Sequence, residues 1–399
     1  MAIFLLFLSA ATVRAAGQAV VSKKEIAGVD PVVRALCGKQ VALLGEPPVH
    51  GFGKTLEFKV QLVRRLVDDC HYDALFMESG TYDYIEIENA LKAGGNVTDG
   101  MISAAIGGLW ANDEVQLLVP FLRAKVNSRS LTLGGLDDQI GAGTYASRGM
   151  ASDLVKYLHG GERSRCLGIL QRRLSWQYTP EAPYSPSDKE QVLGCLNEIE
   201  GGLSQPGEKK NTGAGGDKMM VDSLRRNLAR DFTEDDFTKN GEELKWINDR
   251  ERSMYLNFEW LFSQLPPHSK VIVWAATVHV AKDLTGINGF RGRVPLGSYI
   301  KRDFKRRTFS LGFSAYSGEY AFVHQPVRAL SAAPASSLEG QAFAYAKSDS
   351  VYLSRKQLGR YGSVAARPLG TSLEPAHWDK VLDGMVIFRK EHAPSWIRR

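Results

Sequence analysis

The sequence predicts an α/β fold: a mostly parallel central sheet flanked by helices, with a helical insertion or cap set into it. Three observations carry that prediction. Short apolar runs alternate with helix-period segments over residues 35–149, strand-like runs vanish over 150–260, and the alternation resumes over 261–395. Strands separated by helices pair in parallel and bury both sheet faces, so their apolar runs are continuous. With 399 residues, 44% hydrophobic and 24% charged, the chain can build a substantial core in one large domain or two ordinary ones.

The elements follow in order. MAIFLLFLSAATVRAAGQA opens the chain, and its apolar core from Ala2 to Val13 precedes small residues at Ala15 and Ala16. That pattern reads as a signal peptide over 1–16 and places the mature protein outside the cytoplasm, secreted or periplasmic. The run is short for a bilayer, and no other segment approaches that length, so the mature chain is expected to have no stable membrane span. Gln40–Leu44 is a buried strand, followed by the turn 45–53. Over Thr55–Cys70, Leu56, Val60, Val63 and Val67 recur with the spacing of one helix stripe. Asp73–Met77 is the next strand, ending in Glu78, with a helix over Tyr84–Lys92. Asp113–Lys125 reads as a helix, and Ser130–Gly135 as a strand leading into Asp137.

Residues 150–260 are charged helical segments broken by TPEAPYSPS (Thr179–Ser187) and by the polar, Gly-rich Gly207–Lys218. Lys270–Ala275 (KVIVWA) restores the α/β pattern, with further strands expected at Thr308–Phe313, Tyr320–His324 and Met385–Arg389. The small-residue stretch Leu330–Ala346 reads as a loop.

The net charge of +6 is modest, and the basic residues lie in small groups such as Arg64-Arg65 and Lys305–Arg307. Nucleic-acid binding needs a concentrated positive face, so no nucleic-acid partner is expected. The four cysteines, Cys37, Cys70, Cys166 and Cys195, show no zinc spacing; three disulfide pairings are open, and Cys166 with Cys195 would flank one helix-rich segment.

In an open parallel sheet, ligands bind beyond the carboxyl ends of the strands. The first strand ends at Glu46 and His50, the second at Glu78, the third at Asp137 and the KVIVWA strand at His279. A neutral histidine can take a proton from water while a carboxylate orients its ring. Another histidine can stabilise a developing oxyanion. Gly-x-Ser-x-Gly, the P-loop and GxGxxG are all missing, which favours directly activated water over a covalent nucleophile or a dinucleotide. No cofactor is expected. The same side chains could also hold a divalent metal.

GEPPVHG, LVRRL, ALFMES, GLDD, RERSMYLNFEWL, VIVWAATVHVA and DGMVIF occur in that order between about residues 40 and 390. This ordered set resembles the erythromycin esterase family. The resemblance implies an α/β core with a helical insertion, and a deep cleft above the sheet where the family's macrolide-resistance members hydrolyse a lactone through histidine-activated water. It implies His50 as general base, Glu46 as its partner, Glu78 as the acid ending the second strand, and His279 as the later histidine. Arg250 and Asn257 match the family's Arg-Asp-x-x-Met-x-x-Asn helix, with Glu251 in place of Asp. Lys59 stands where the family has an arginine. With Asp137, residues Lys59, Arg250 and Asn257 are expected to bind substrate. The first turn has one extra residue, and Ala276 and Thr277 replace a histidine and an asparagine.

The resulting expectation is an exported hydrolase acting on an ester or lactone of a small molecule. Two alternatives stand beside it: a non-catalytic protein binding a small hydrophobic ligand or haem, and a metal-dependent hydrolase or peptidase using Glu46, His50, Glu78 and His279 as ligands. The sequence specifies no oligomeric state.

Overall fold

A computed structural model describes residues 28–205, 214–230 and 242–396. The expected signal peptide, 1–16, lies outside them. The strands are β1 (Val41–Leu44), β2 (Ala74–Gly80), β3 (Thr132–Asp137), β4 (Val271–Trp274), β5 (Thr308–Tyr320), β6 (Arg328–Leu330), β7 (Ser350–Ser354), β8 (Ser363–Ala366), β9 (Glu374–His377) and β10 (Gly384–Glu391). An eight-stranded sheet runs β3-β2-β4-β1-β5-β10-β7, with β6 on β5; β8 and β9 form a separate pair. β3, β2, β4, β1, β5 and β10 are mutually parallel, while β7 and β6 pair antiparallel. The architecture is the mostly parallel α/β sheet that the sequence predicts.

Alternation within each short strand fills both faces. Ala42, Leu44, Leu75, Met77, Ile272 and Trp274 pack on one side with the helix Gly53–Cys70. Val41, Leu43, Ala74, Phe76, Val271 and Val273 pack on the other against the helices Glu242–Ser263 and Leu296–Phe304. Each large aliphatic side chain so buried contributes about 1.5–3 kcal/mol.

Several expected elements differ. Tyr320–His324 is not a strand of its own: Tyr320 ends the long β5, and the chain then turns, with the Gln325 N–H donating to Phe322 O at 3.0 Å. This turn lies against the first one. The Ala321 N–H donates to Gly51 O at 3.1 Å, and a Cβ on Gly51 would fall 1.8 Å from Ala321 O, so only glycine permits the approach. The expected helix Asp113–Lys125 is two, Asp113–Gln116 and Val119–Asn127, because Pro120 suits a helix start and not an interior. Inside the expected loop Leu330–Ala346 sits the helix Leu338–Phe343, capped by Ser337, whose side chain accepts from the Gly340 N–H. Part of the break Gly207–Lys218 lies outside the described residues, and from Ala214 onward it is helical.

The stretch 150–260 divides in two. The helices Gly160–Leu174, Pro186–Leu203 and Ala214–Ala229 share a hydrophobic cluster apart from the sheet, built on Cys166, Leu170, Cys195, Leu196, Met220 and Leu224. The helix Glu242–Ser263 instead belongs to the sheet's own core through Met254, Tyr255 and Phe258. TPEAPYSPS ends in a capping box, in which the Ser185 and Asp188 side chains each satisfy the other's backbone N–H. Disulfides join Cys37 to Cys70 and Cys166 to Cys195, the second linking two insertion helices.

Candidate active site

A cleft of about 360 Å³ opens beyond the carboxyl ends of β1, β2 and β4, lined in part by His50, Glu78, Arg250, Glu251 and His279. Glu46 lies directly behind His50.

The first cluster is built on the turn after β1. Pro47 and Pro48 carry the chain round to His50, whose N–H donates to Pro47 O at 3.0 Å. The backbone at His50 is left-handed, φ 50, a region that histidine enters more readily than branched residues. The His50 Nδ1 lies 2.8 Å from Glu46 Oε1, which also accepts from Trp110 Nε1 at 2.6 Å. Glu46 Oε2 accepts from Lys59 Nζ, and that ammonium sits 4.2 Å from the centre of the Trp274 ring. Burial alone would raise the Glu46 carboxyl, but Lys59 and His50 outweigh it and hold it below the usual carboxylate range. Burial pushes Lys59 down to about 8, against the pull of Glu46 and Glu78. An ionised Glu46 fixes the proton on Nδ1, leaving Nε2 as the ring nitrogen with a lone pair for the cleft.

The second cluster joins β2 and β4 to the helix Glu242–Ser263. His279 Nε2 lies 2.9 Å from Glu78 Oε1, and its Nδ1 lies 2.5 Å from Glu251 Oε1. Glu78 Oε2 accepts from the Ala276 N–H at 2.8 Å, and Glu251 Oε2 from the Leu296 N–H at 2.8 Å. Burial alone would lower His279, yet the two carboxylates hold it at about 10, so it is an imidazolium at neutral pH. Glu78, opposed by burial but paired with His279 and near His50 and Arg250, stays well below the ordinary carboxylate range. Arg250 Nη2 reaches Asp137 Oδ2 at 2.5 Å and Glu78 Oε1 at 3.3 Å, while its Nε donates to Asp137 at 3.2 Å. Its Nη1 has no partner among the described residues.

Glu46, His50, Glu78 and His279 therefore meet around one cavity, joined by Arg250. Lys59, Asp137 and Asn257, expected to touch substrate, do not line it. Lys59 is fully buried beneath Glu46, and Asp137 stands behind Arg250. Asn257 Nδ2 donates to Leu136 O at 2.8 Å and to Ser223 Oγ at 3.3 Å, bonding the insertion to the end of β3. The sequence reading missed Trp110, in a short turn without periodicity, and did not give Glu251 its role as the second clamp on His279. Among the described residues, no group of three or more His, Cys, Asp or Glu side chains is arranged to hold a metal ion.

Fold and cleft together define an α/β protein that carries histidine–carboxylate pairs at the strand ends of a mostly parallel sheet. The chain matches the erythromycin esterase family over residues 67–389 and belongs to it; the turn holding Glu46 and His50 lies just ahead of the matched span. "Putative hydrolase YbfO" of Bacillus subtilis (strain 168) is 23% identical over 312 residues, covering 71% of this chain and 67% of that protein. Among solved structures, a succinoglycan biosynthesis protein superposes with a TM-score of 0.70 at 14% identity over 94% of each chain. A Bacillus cereus protein gives 0.69 at 16% identity over 93% of each chain. A mutant of the erythromycin esterase EreC in its open conformation gives 0.64 at 13% identity, over 93% of this chain and 95% of that one. At such identities these structures share the fold.

Proposed function

We propose that the chain is an exported hydrolase that cleaves a carboxylic ester or lactone of a small molecule with water activated by His50. The observation that carries this is the His50 ring: its Nδ1 is held by a buried, ionised Glu46, and its Nε2 is left for the cleft. Nε2 takes a proton from water as the oxygen attacks the ester carbonyl carbon. The carbonyl oxygen becomes an oxyanion beside Arg250, whose Nη1 has N–H groups to offer, and the His279 charge adds to the positive potential. The His279 N–H groups are both engaged by carboxylates, so this residue acts through charge and by holding Glu78. Collapse of the tetrahedral intermediate expels the alkoxide, which recovers the proton from the His50 imidazolium. Glu46, Lys59, Glu78 and Glu251 are positioning residues.

Membership of an esterase family and the name of the Bacillus subtilis relative support a hydrolase. Two disulfides, together with the apolar N-terminal sequence, support export, because such bonds persist in oxidising compartments. The reaction as drawn is metal-free: Lys59, Arg250 and His279 already occupy the carboxylates that a divalent ion would need. The test is a panel of esters and lactones assayed with wild type, His50→Ala and the exposed control His159→Ala, each with and without chelator. Hydrolysis lost in His50→Ala alone, and indifferent to chelator, is the expected result. Equal activity in all three proteins sinks the assignment of His50.

A further inference from the structure

One cation of the cleft wall is left over from the pairs described above. Arg250 and His279 face Asp137, Glu78 and Glu251, and Lys59 faces Glu46. Arg293 lines the same cleft, and among the described residues no carboxylate pairs with it; its close neighbour is the Phe290 ring, 5.1 Å from the guanidinium carbon to the ring centre.

The loop that presents Arg293 is clamped on both sides. Asn248 Nδ2 donates to Gly292 O at 2.9 Å, and Asn248 Oδ1 accepts from the Val294 N–H at 2.8 Å. The Arg293 N–H donates to Phe290 O at 3.1 Å. Gly292 adopts φ +81, a conformation open to glycine without strain. Asn248 sits on the helix that also supplies Arg250 and Glu251, so the loop is fixed relative to the charged floor of the cleft. Other parts of the wall are apolar: Leu109 and Phe322, 39% and 41% exposed, and Trp396 lie on the same cleft. An arginine offers five N–H donors in a planar fork that matches a carboxylate.

We propose that the cleft takes esters or lactones bearing an anionic group, a carboxylate above all, on an apolar arm, and that Arg293 grips that group. This rests on the hydrolase reading and names its substrate class. The apolar wall receives the arm, the pre-set guanidinium receives the charge, and the ester linkage is left for His50.

Two chain-matched pairs of probes test it. Binding of monomethyl suberate and methyl octanoate is followed by tryptophan fluorescence, and hydrolysis is measured on mono-para-nitrophenyl suberate and para-nitrophenyl octanoate. Wild type is expected to favour the anionic member about tenfold or more, mainly in Kd and KM, with the preference shrinking as salt rises. Arg293→Ala erases that preference, Arg293→Glu inverts it, and Arg293→Lys keeps a part. A preference that is the same in wild type and Arg293→Ala, with both esters still cleaved, overturns the anionic subsite alone. Discrimination that tracks Arg293 while neither ester is cleaved overturns the hydrolase reading and leaves the anion subsite standing.

Discussion

His50 rests on a single carboxylate, that of Glu46, whereas His279, one strand over at the end of β4, is held between two, Glu78 and Glu251. One carboxylate engages a single ring nitrogen and leaves the other open, the arrangement that the proposed base requires. Two carboxylates engage both nitrogens and keep the ring charged to about pH 10, which makes a fixed cation. The same residue type, with similarly low exposure, is thus given opposite work by the number of acids around it.

The largest expected effect separates the two histidines. His50→Ala should lower kcat/KM by roughly 10²–10⁴-fold while leaving the thermal midpoint close to wild type. His279→Ala should instead act chiefly on stability, by about 3–5 kcal/mol in denaturant titration, because it leaves Glu78 and Glu251 buried without their shared cation. Two variants that lose activity and stability in equal measure would break the comparison.

Next comes the support of the first pair. Lys59→Met should cost about 3–5 kcal/mol, since the buried Glu46 carboxylate loses its ammonium. Adding Glu46→Gln should recover part of that loss, and a double variant as weak as the sum of the two singles would show no coupling.

The pH dependence sharpens the contrast. The His279 pKa is raised from 6.5 to about 10, so its stabilising contribution is complete below about 6.5, declines as pH rises, and is gone above about 10. In Glu251→Gln, with one acid fewer, the decline should end at lower pH, with about 1.4 kcal/mol less contribution per unit of pKa lost. Stability measured by denaturant titration across that window checks it, and an unmoved alkaline limb would show that Glu251 does not hold the charge.

The smallest effect concerns Glu391, an acid as buried as Glu46. It accepts from the Lys54 and Thr55 N–H groups and from the Thr55 hydroxyl, and among the described residues it has no ion pair. Burial pushes it up to about 7 from 4.5, the reverse of Glu46 and Glu78, which face cations. Its folded form keeps a proton that the unfolded form releases, so stability falls as pH rises from about 4.5 to about 7. Glu391→Gln should flatten that slope, and an identical slope in the variant counts against the burial argument.

Much of this was legible in the sequence because it depends on local pattern. Parallel strands buried on both faces are continuous apolar runs, and VALL and VIVW stand out as such. Placing Glu46, His50, Glu78 and His279 at one sheet edge needed only the rule that ligands gather beyond strand ends. Tyr320–His324 misled because a strand-like composition continues past the point where Gly51 and Ala321 force a turn. The helix Leu338–Phe343 was hidden by small residues whose helical order depends on a Ser337 cap.

Which atoms face one another lies on a different link of the chain. Trp110 reaches Glu46 behind the cleft from a short turn, Glu251 and Arg293 reach the cleft from a long helix and a clamped loop, and no spacing along the polypeptide connects them. Residue order alone settled the α/β architecture and which strand ends hold the histidines and carboxylates, since hydrophobic periodicity and strand-end placement are properties of neighbouring residues. Packing alone decided that one histidine faces a single carboxylate and the other two, that Lys59 lies beneath Glu46, and that among the described residues no acid pairs with Arg293. Burial and pairing act through space, and their sign is fixed only when distant segments have come together.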